Sequence, residues 1–368
     1  MIPRQLKSRG VLALLSMAAL LVLLSCNPAD NQSTFEAASP EAQKLLDLLA
    51  IIGWAAVAVF VVVEGILIYA VIRYARRRND NTMPAQTHGN TPLEIGWTIA
   101  PAIVLAVIAV PTVIYIFDLE SEPPEDSLNV IVTGHQWWWE FEYPEENVIT
   151  ANELRLPVER PVRLLLRSDD VIHSFWIPKL QGKVDVIPNN ENWLKFTPME
   201  TGEFYAQCAE FCGVAHSHMR FRVIVEEPDE FDAWVANYHE LATRPAPADG
   251  SDEAQGAQLF ASRGCLLCHA VNGPASAEAR LALKEGFERG ELRFPAPNLT
   301  NFGTRGTLAA GLLDNDAGGE NLRAWLSDPD SVKEGNRMAE LATVYIDPDS
   351  ELSALEVSQL AAYLLSLK

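Results

Sequence analysis

The sequence predicts a multidomain protein: a two-helix transmembrane hairpin, then an all-β sandwich, then an all-α domain. Three observations carry this. Long apolar runs crowd into the first third of the chain. From residue 128 to 227, short β-rich segments are broken by Pro, Gly, Asn and Asp at intervals of roughly 8–12 residues. Past a proline-bearing linker the apolar spacing becomes helical. At 368 residues the chain has room for two or three such domains.

Residues 1–25 read as a targeting segment. Arg4, Lys7 and Arg9 form a basic start, and Val11 to Leu24 an apolar stretch too short to span a bilayer comfortably. Leu23-Leu24-Ser25-Cys26 closes it and resembles a bacterial lipobox, in which cleavage leaves Cys26 as a lipidated N-terminus. A plain signal anchor with an incidental cysteine is the alternative. Residues 26–120 read as the hairpin, with helices at about 45–74 and 93–117, each reaching the roughly 20 residues a crossing needs. Arg73, Arg76, Arg77 and Arg78 lie between them, so the connecting turn belongs on the cytoplasmic side and both ends outside. The expectation is a multi-pass protein of the bacterial cytoplasmic membrane whose bulk lies on the outer, periplasmic side. Glu64 sits mid-run, where an ionisable group is costly and normally faces protein.

The external body begins with residues 121–242, where segments 129–133, 162–166 and 220–225 are strand-like and a short amphipathic helix follows at about 230–241. Residues 243–250 are a linker with two prolines and a closing Gly250. Residues 251–368 turn helical: 254–263 ends at Gly264, 321–326 is a short apolar-faced turn, and Ser353 with Glu356 fits a capping box opening a last helix to Leu367. The net charge of −21, from 28 basic and 49 acidic residues, argues against a nucleic-acid partner, because phosphate binding needs basic surface.

Of the five cysteines, Cys26 falls at the lipobox and four fall in two pairs. Cys265-Leu266-Leu267-Cys268-His269 has the spacing for covalent haem attachment: two thiols on one turn form thioethers to the vinyl groups, and the adjacent imidazole faces the iron. After His269 there is no other histidine, and Met338 is the one methionine left to serve as sixth ligand. A core methionine is the alternative for Met338. The other pair lies in Cys208-Ala209-Glu210-Phe211-Cys212-Gly213-Val214-Ala215-His216-Ser217-His218-Met219. Two thiolates, an imidazole and a thioether make a soft, compact donor set that selects copper over hard cations, and two sulfurs can bridge two copper ions. His173 is the candidate for a second imidazole, delivered from a neighbouring strand. His218 remains a rival to His216, and a Cys208–Cys212 disulfide or a copper-chaperone thiol pair are the other readings.

With these residues in hand, the chain resembles subunit II of haem-copper cytochrome c oxidases in the form fused to a C-terminal cytochrome c domain. The resemblance runs over residues 45–368 and is carried by Cys208 to Met219, by Asp170-Val171-Ile172-His173-Ser174 and by Gly134-His135-Gln136-Trp137-Trp138-Trp139. It implies a cupredoxin-like Greek-key sandwich and a class I cytochrome c fold. It further implies a dinuclear copper centre, CuA, held by His173, Cys208, Cys212, His216, Met219 and the backbone carbonyl of Glu210. The Glu210 carboxylate would reach a magnesium ion at the interface with subunit I, Trp137 would be the point of electron entry, and Glu94 would stand at the mouth of a proton channel. Without the resemblance, Glu94 is a helix-start carboxylate favoured by the dipole. The chain departs from the family pattern at Phe175 preceding Trp176, at Asn189, at Ala296 and at Ala339.

The implied function is electron relay from a covalent haem c, through two copper ions, to subunit I, where oxygen becomes water. No residue of this chain is expected to act as a nucleophile or general acid. The implied partners are oxidase subunits I and III, a reduced cytochrome or other quinol-oxidising donor complex, and the membrane. Two rivals remain at this stage: a membrane-anchored carrier without an oxidase partner, and a copper-delivery or thiol-exchange protein.

Overall fold

A computed structural model describes residues 30–75, 83, 86, 88–271 and 296–368. The targeting segment with Cys26, and Arg76, Arg77 and Arg78, lie outside the described residues. The two apolar runs form helices Pro40–Ala75 and Thr91–Leu119, both long and apolar enough to cross a membrane. Each starts ahead of its apolar run because a cap sets the boundary. Ser39 Oγ accepts the Ala42 N–H at 3.0 Å, and Asn90 Oδ1 accepts that of Leu93 at 3.3 Å. A Lys44–Asp118 ion pair joins the outer ends of the two helices.

The β domain is a sandwich of two five-stranded sheets. Its strands are β1 (Leu128–His135), β2 (Trp138–Tyr143), β3 (Val148–Ala151), β4 (Glu153–Pro157) and β5 (Val162–Ser168), then β6 (His173–Trp176), β7 (Val184–Val186), β8 (Asn192–Phe196), β9 (Gly202–Cys208) and β10 (Arg220–Glu226). One sheet runs β3-β2-β1-β5-β8 and the other β4-β10-β9-β6-β7. Alternate residues of β5 are buried, as a strand with one face on the core requires. Between the sheets Phe175 stacks on Phe221 at 4.6 Å and meets Trp139 edge-on at 5.2 Å. Each such fully buried ring stabilises the fold by roughly 2–3 kcal/mol. The substitution of Phe175 into the family's usual tryptophan region is thus a packed core choice, and Asn189 adopts φ 60°, a left-handed conformation that Asn accepts more readily than most residues. Helix Pro228–Thr243 extends past the predicted 230–241 because Glu227 and Glu230 cap it reciprocally; it lays Phe231, Trp234 and Tyr238 against the core.

In the C-terminal domain, helix Asp252–Ser262 packs on helix Ala354–Ser366. The Ser353–Glu356 capping box forms as the sequence predicts. The two helices nearly touch at Gly256, where a Cβ would lie 2.0 Å from the Gln359 carbonyl oxygen; only glycine permits the crossing. Short helices Glu320–Ser327, Pro329–Val332, Arg337–Leu341 and Thr343–Ile346 complete it. One feature departs from the all-helical expectation: Thr307–Leu308 pairs with Leu313–Asp314 in a small ribbon. Its turn places Ala309 and Ala310 at φ 54° and 62°, a conformation alanine composition does not announce.

The two external domains are docked as well as tethered. Glu153 accepts from the Thr307 N–H at 2.8 Å, Arg222 donates to the Gly311 carbonyl at 3.1 Å, and Arg337 donates to Gln136 Oε1 at 3.0 Å. Lys333 Nζ donates to the Trp137 carbonyl.

Candidate metal and haem centres

Three neighbouring strands deliver the sulfur and imidazole donors to one end of their sheet. His173 opens β6, Cys208 closes β9, and Met219 immediately precedes β10. Phe175 lies across from Cys208 in the β6–β9 ladder, and the Cys208 N–H donates to the Met219 carbonyl at 2.9 Å. Backbone pairing therefore fixes three donors before any side chain is considered. The β9–β10 turn supplies the others.

The donor atoms converge. Cys208 Sγ stands 3.8 Å from Cys212 Sγ, unbridged, and 3.9 Å from His173 Nδ1. Cys212 Sγ lies 3.6 Å from His216 Nδ1 and 3.8 Å from Met219 Sδ, and the Glu210 carbonyl is 3.3 Å from Cys208 Sγ. It is His216 that meets the sulfurs; the His218 N–H bonds to the Ala215 carbonyl within a 3-10 turn. Both cysteines, His173 and Met219 are buried, while the Glu210 side chain and Phe211 are exposed beside them.

Electrostatics favours a cation here. Cys208 is pulled down to about 3, chiefly by the Cys212 thiol donating to it and then by His173, against the effect of burial. The same contact and burial push Cys212 up. Two buried sulfurs this close cannot both carry charge without a positive ion between them. Burial acts to lower His173, but Asp170 and Cys208 outweigh it and the ring is raised. His173 Nε2 pairs with Asp170 Oδ1 at 2.7 Å, which turns Nδ1 toward the sulfurs. Asp170, three residues ahead of His173, is a functional neighbour that sequence reasoning passed over; an acidic residue just upstream of a candidate ligand was the available signal. The donor set fits a pair of soft metal ions bridged by thiolates.

Trp137 lies against this cluster. Its Nε1 donates to the Cys212 carbonyl at 3.0 Å, and Gln136 Nε2 donates to the same oxygen at 2.7 Å. Gly213, at φ 118°, is required beneath it, since a Cβ there would come within 2.9 Å of the indole. Expected as an entry surface, Trp137 is only 6% exposed, because Lys333 and Arg337 of the C-terminal domain cover it. Glu94 caps its membrane helix, accepting the Asn90 N–H at 3.2 Å, and Glu64 lines a groove between the two helices with Phe60 and Ile108.

Cys265, Cys268 and His269 line a cavity of about 210 Å³, walled by apolar residues such as Leu299, Phe302 and Leu360. Met338 lines the same cavity from the short helix Arg337–Leu341. His269 Nδ1 bonds to the Pro297 carbonyl at 2.8 Å, leaving Nε2 for the cavity, and burial keeps the ring neutral by lowering its pKa. An apolar hollow with two thiols not joined in a disulfide and a neutral, oriented imidazole fits a covalently attached haem.

Soft donors held by a sheet, beside a hollow shaped for haem and carried on a membrane hairpin, define a membrane-anchored electron-transfer protein. Comparison with known proteins identifies which. Residues 29–114 match the family model for the transmembrane domain of cytochrome c oxidase subunit II, residues 147–227 its periplasmic domain, and residues 253–368 cytochrome c. Cytochrome c oxidase subunit 2 of Alkalihalophilus pseudofirmus is 37% identical over 355 residues, covering 95% of this chain and 94% of that one. The Bacillus subtilis protein of the same name is 36% identical, covering 93% and 95%. Among solved structures, the periplasmic domain of subunit II of cytochrome oxidase from Bradyrhizobium japonicum is 33% identical, with a TM-score of 0.30, covering 31% of this chain and 94% of that one. The chain belongs to the cytochrome c oxidase subunit II family, in the form that carries a cytochrome c domain. It is accordingly a membrane-anchored component of an oxidoreductase complex and a partner of the oxidase core.

Proposed function

We propose that this chain passes electrons from a haem held by Cys265, Cys268, His269 and Met338 to a copper pair held by His173, Cys208, Cys212, His216, Met219 and the Glu210 carbonyl, and on to subunit I. Haem and copper supply the two one-electron couples. The chain's own residues hold them still: thiolates and imidazoles anchored on β6, β9 and β10 keep their places when charge changes, which keeps reorganisation small. In this reading residues 26–120, 121–242 and 251–368 are the anchor, copper and haem units, and Cys26 is the lipidated terminus. The exposed Glu210 carboxylate meets a magnesium ion at the subunit I interface, and Glu94 faces a proton channel of that subunit. Subunit III and a reduced cytochrome or quinol-oxidising complex are the remaining partners.

The observation that carries the relay is Trp137. Its indole N–H bonds to the carbonyl of Cys212, its own carbonyl accepts from Lys333, and its side chain lines the haem cavity. One residue thus touches both centres. In the purified oxidase, Trp137→Leu is expected to leave haem content and the copper EPR spectrum intact while slowing haem reoxidation by oxygen about tenfold or more, near 1.4 kcal/mol in barrier. Unchanged reoxidation in a fully loaded variant would show that the path runs elsewhere.

A further inference from the structure

The haem cavity is lined by four basic side chains, Arg263, Arg305, Lys333 and Arg337, of which burial holds Lys333 down to about 7, and by no carboxylate among the described residues. That is unexpected in a chain of net charge −21. Arg263 is paired outside the cavity with Glu356, and Arg337 shares Glu340 at the rim. Arg305 and Lys333 are buried, and the carboxylate facing Arg305, that of Glu153, is itself buried with its pKa raised by desolvation. Buried cations are retained where an anion answers them.

The cavity also has unanswered donors. Arg305 Nε, Arg337 Nε and Trp138 Nε1 are buried without a hydrogen-bond partner among the described residues, and all three residues line the cavity. Trp138 belongs to the copper domain. It is 6% exposed, and its ring is held parallel to His135 at 4.2 Å, so the indole has one orientation. Trp139 and Trp234 also leave buried indole N–H groups without a partner among the described residues, but of the three only Trp138 lines this cavity, together with basic side chains, where an unanswered donor costs about 1–3 kcal/mol.

We propose that the copper domain completes the haem site: Trp138 donates its indole N–H to a haem propionate, the same carboxylates being held by Arg305, Lys333 and Arg337 across the domain seam. This rests on the haem reading above and deepens it. The acidic groups of the haem are the anions the cavity lacks, and they dock the two domains by bridging them. The haem domain then binds its group with one wall borrowed from its neighbour.

The test uses the full chain in its purified oxidase. Covalent haem is first measured by the pyridine haemochrome; a parent chain without it sinks the haem reading and this inference together. With haem present, Trp138→Phe keeps an aromatic ring against His135 and removes the indole N–H. It is expected to lower the haem midpoint potential, since an unanswered propionate favours the oxidised haem, and to give the midpoint a pH dependence across the neutral range. Trp234→Phe, which removes an unpaired indole N–H outside the cavity, is expected to leave the midpoint in place. An unchanged midpoint in haem-loaded Trp138→Phe overturns the proposal. If that variant does not assemble, the parent decides: its midpoint is expected to be flat across the neutral range, and a propionate titrating there overturns the proposal equally.

Discussion

The copper and haem centres sit side by side but are built in opposite ways. Donors for copper hang from β6, β9 and β10, whose ladder is continuous with a single apolar core running through the sandwich. Five donor side chains converge to within 4 Å of a neighbour. The haem centre is a hollow. Its apolar cluster comes from short helices and connecting segments, and basic side chains line it beside the apolar ones. One site is aimed by backbone pairing within a sheet, whereas the other is shaped by side chains of several short elements and of the neighbouring domain.

That contrast is broken or upheld most directly by removing each guest. Replacing Cys265→Ala and Cys268→Ala together is expected to abolish cooperative unfolding of the haem domain, a loss on the order of 5 kcal/mol, the whole marginal stability of a small domain. Stripping copper with a chelator is expected to leave the sandwich transition nearly where it was. Calorimetry of the full chain reads both. A haem-free variant that keeps its own transition would show the hollow to be prebuilt, and the contrast would fail.

A smaller effect probes how the sheet aims its donors. Asp170 holds His173 by its Nε2 at 2.7 Å and also accepts the Gln136 N–H at 2.6 Å, so one carboxylate orients both a ligand and the start of the Trp137 segment. Asp170→Ala is expected to weaken copper retention about 10–100-fold, as loss of a ligand's orienting partner does. Competition with a copper chelator measures it. Retention equal to the parent would mean that the β6–β9 ladder alone aims the imidazole.

The same division explains what the sequence disclosed. Cys208 to Met219 was legible because its donors lie within one turn between paired strands, and Cys265 to His269 because attachment chemistry fixes the spacing. The membrane helices and the Ser353–Glu356 cap were legible because each depends on neighbours a few residues away. Contacts across the seam were not. Lys333 over Trp137 joins positions almost two hundred residues apart, and nothing local to either marks it. Trp138 likewise meets residues of the C-terminal domain only once the domains are docked, and no local pattern marks it. The ribbon at Thr307–Leu308 was hidden because its turn places Ala309 and Ala310, as well as Gly311, in left-handed backbone, and alanine by itself suggests helix.

The smallest effect tests whether local signals and guest-dependent folding act separately in the haem domain. Ser353 Oγ accepts the Glu356 N–H at 3.3 Å, and Glu356 Oε2 accepts the Ser353 N–H at 2.8 Å. Ser353→Ala is expected to lower the stability of the haem domain by ~1 kcal/mol and to leave the sandwich transition unmoved. Acid should reproduce the loss. The Arg263 guanidinium, then the Ser353 N–H and hydroxyl, hold the Glu356 carboxyl down to about 2. Because that folded value lies below the unfolded one of about 4.3, the cap's contribution is complete above that pH and is lost as pH falls toward 2. In Ser353→Ala one of those donors is gone, so the folded value rises and the acid-induced loss should be smaller and should finish at a higher pH. Identical acid profiles would mean that Arg263 alone sets the carboxylate, and that the cap contributes only its neutral hydrogen bond.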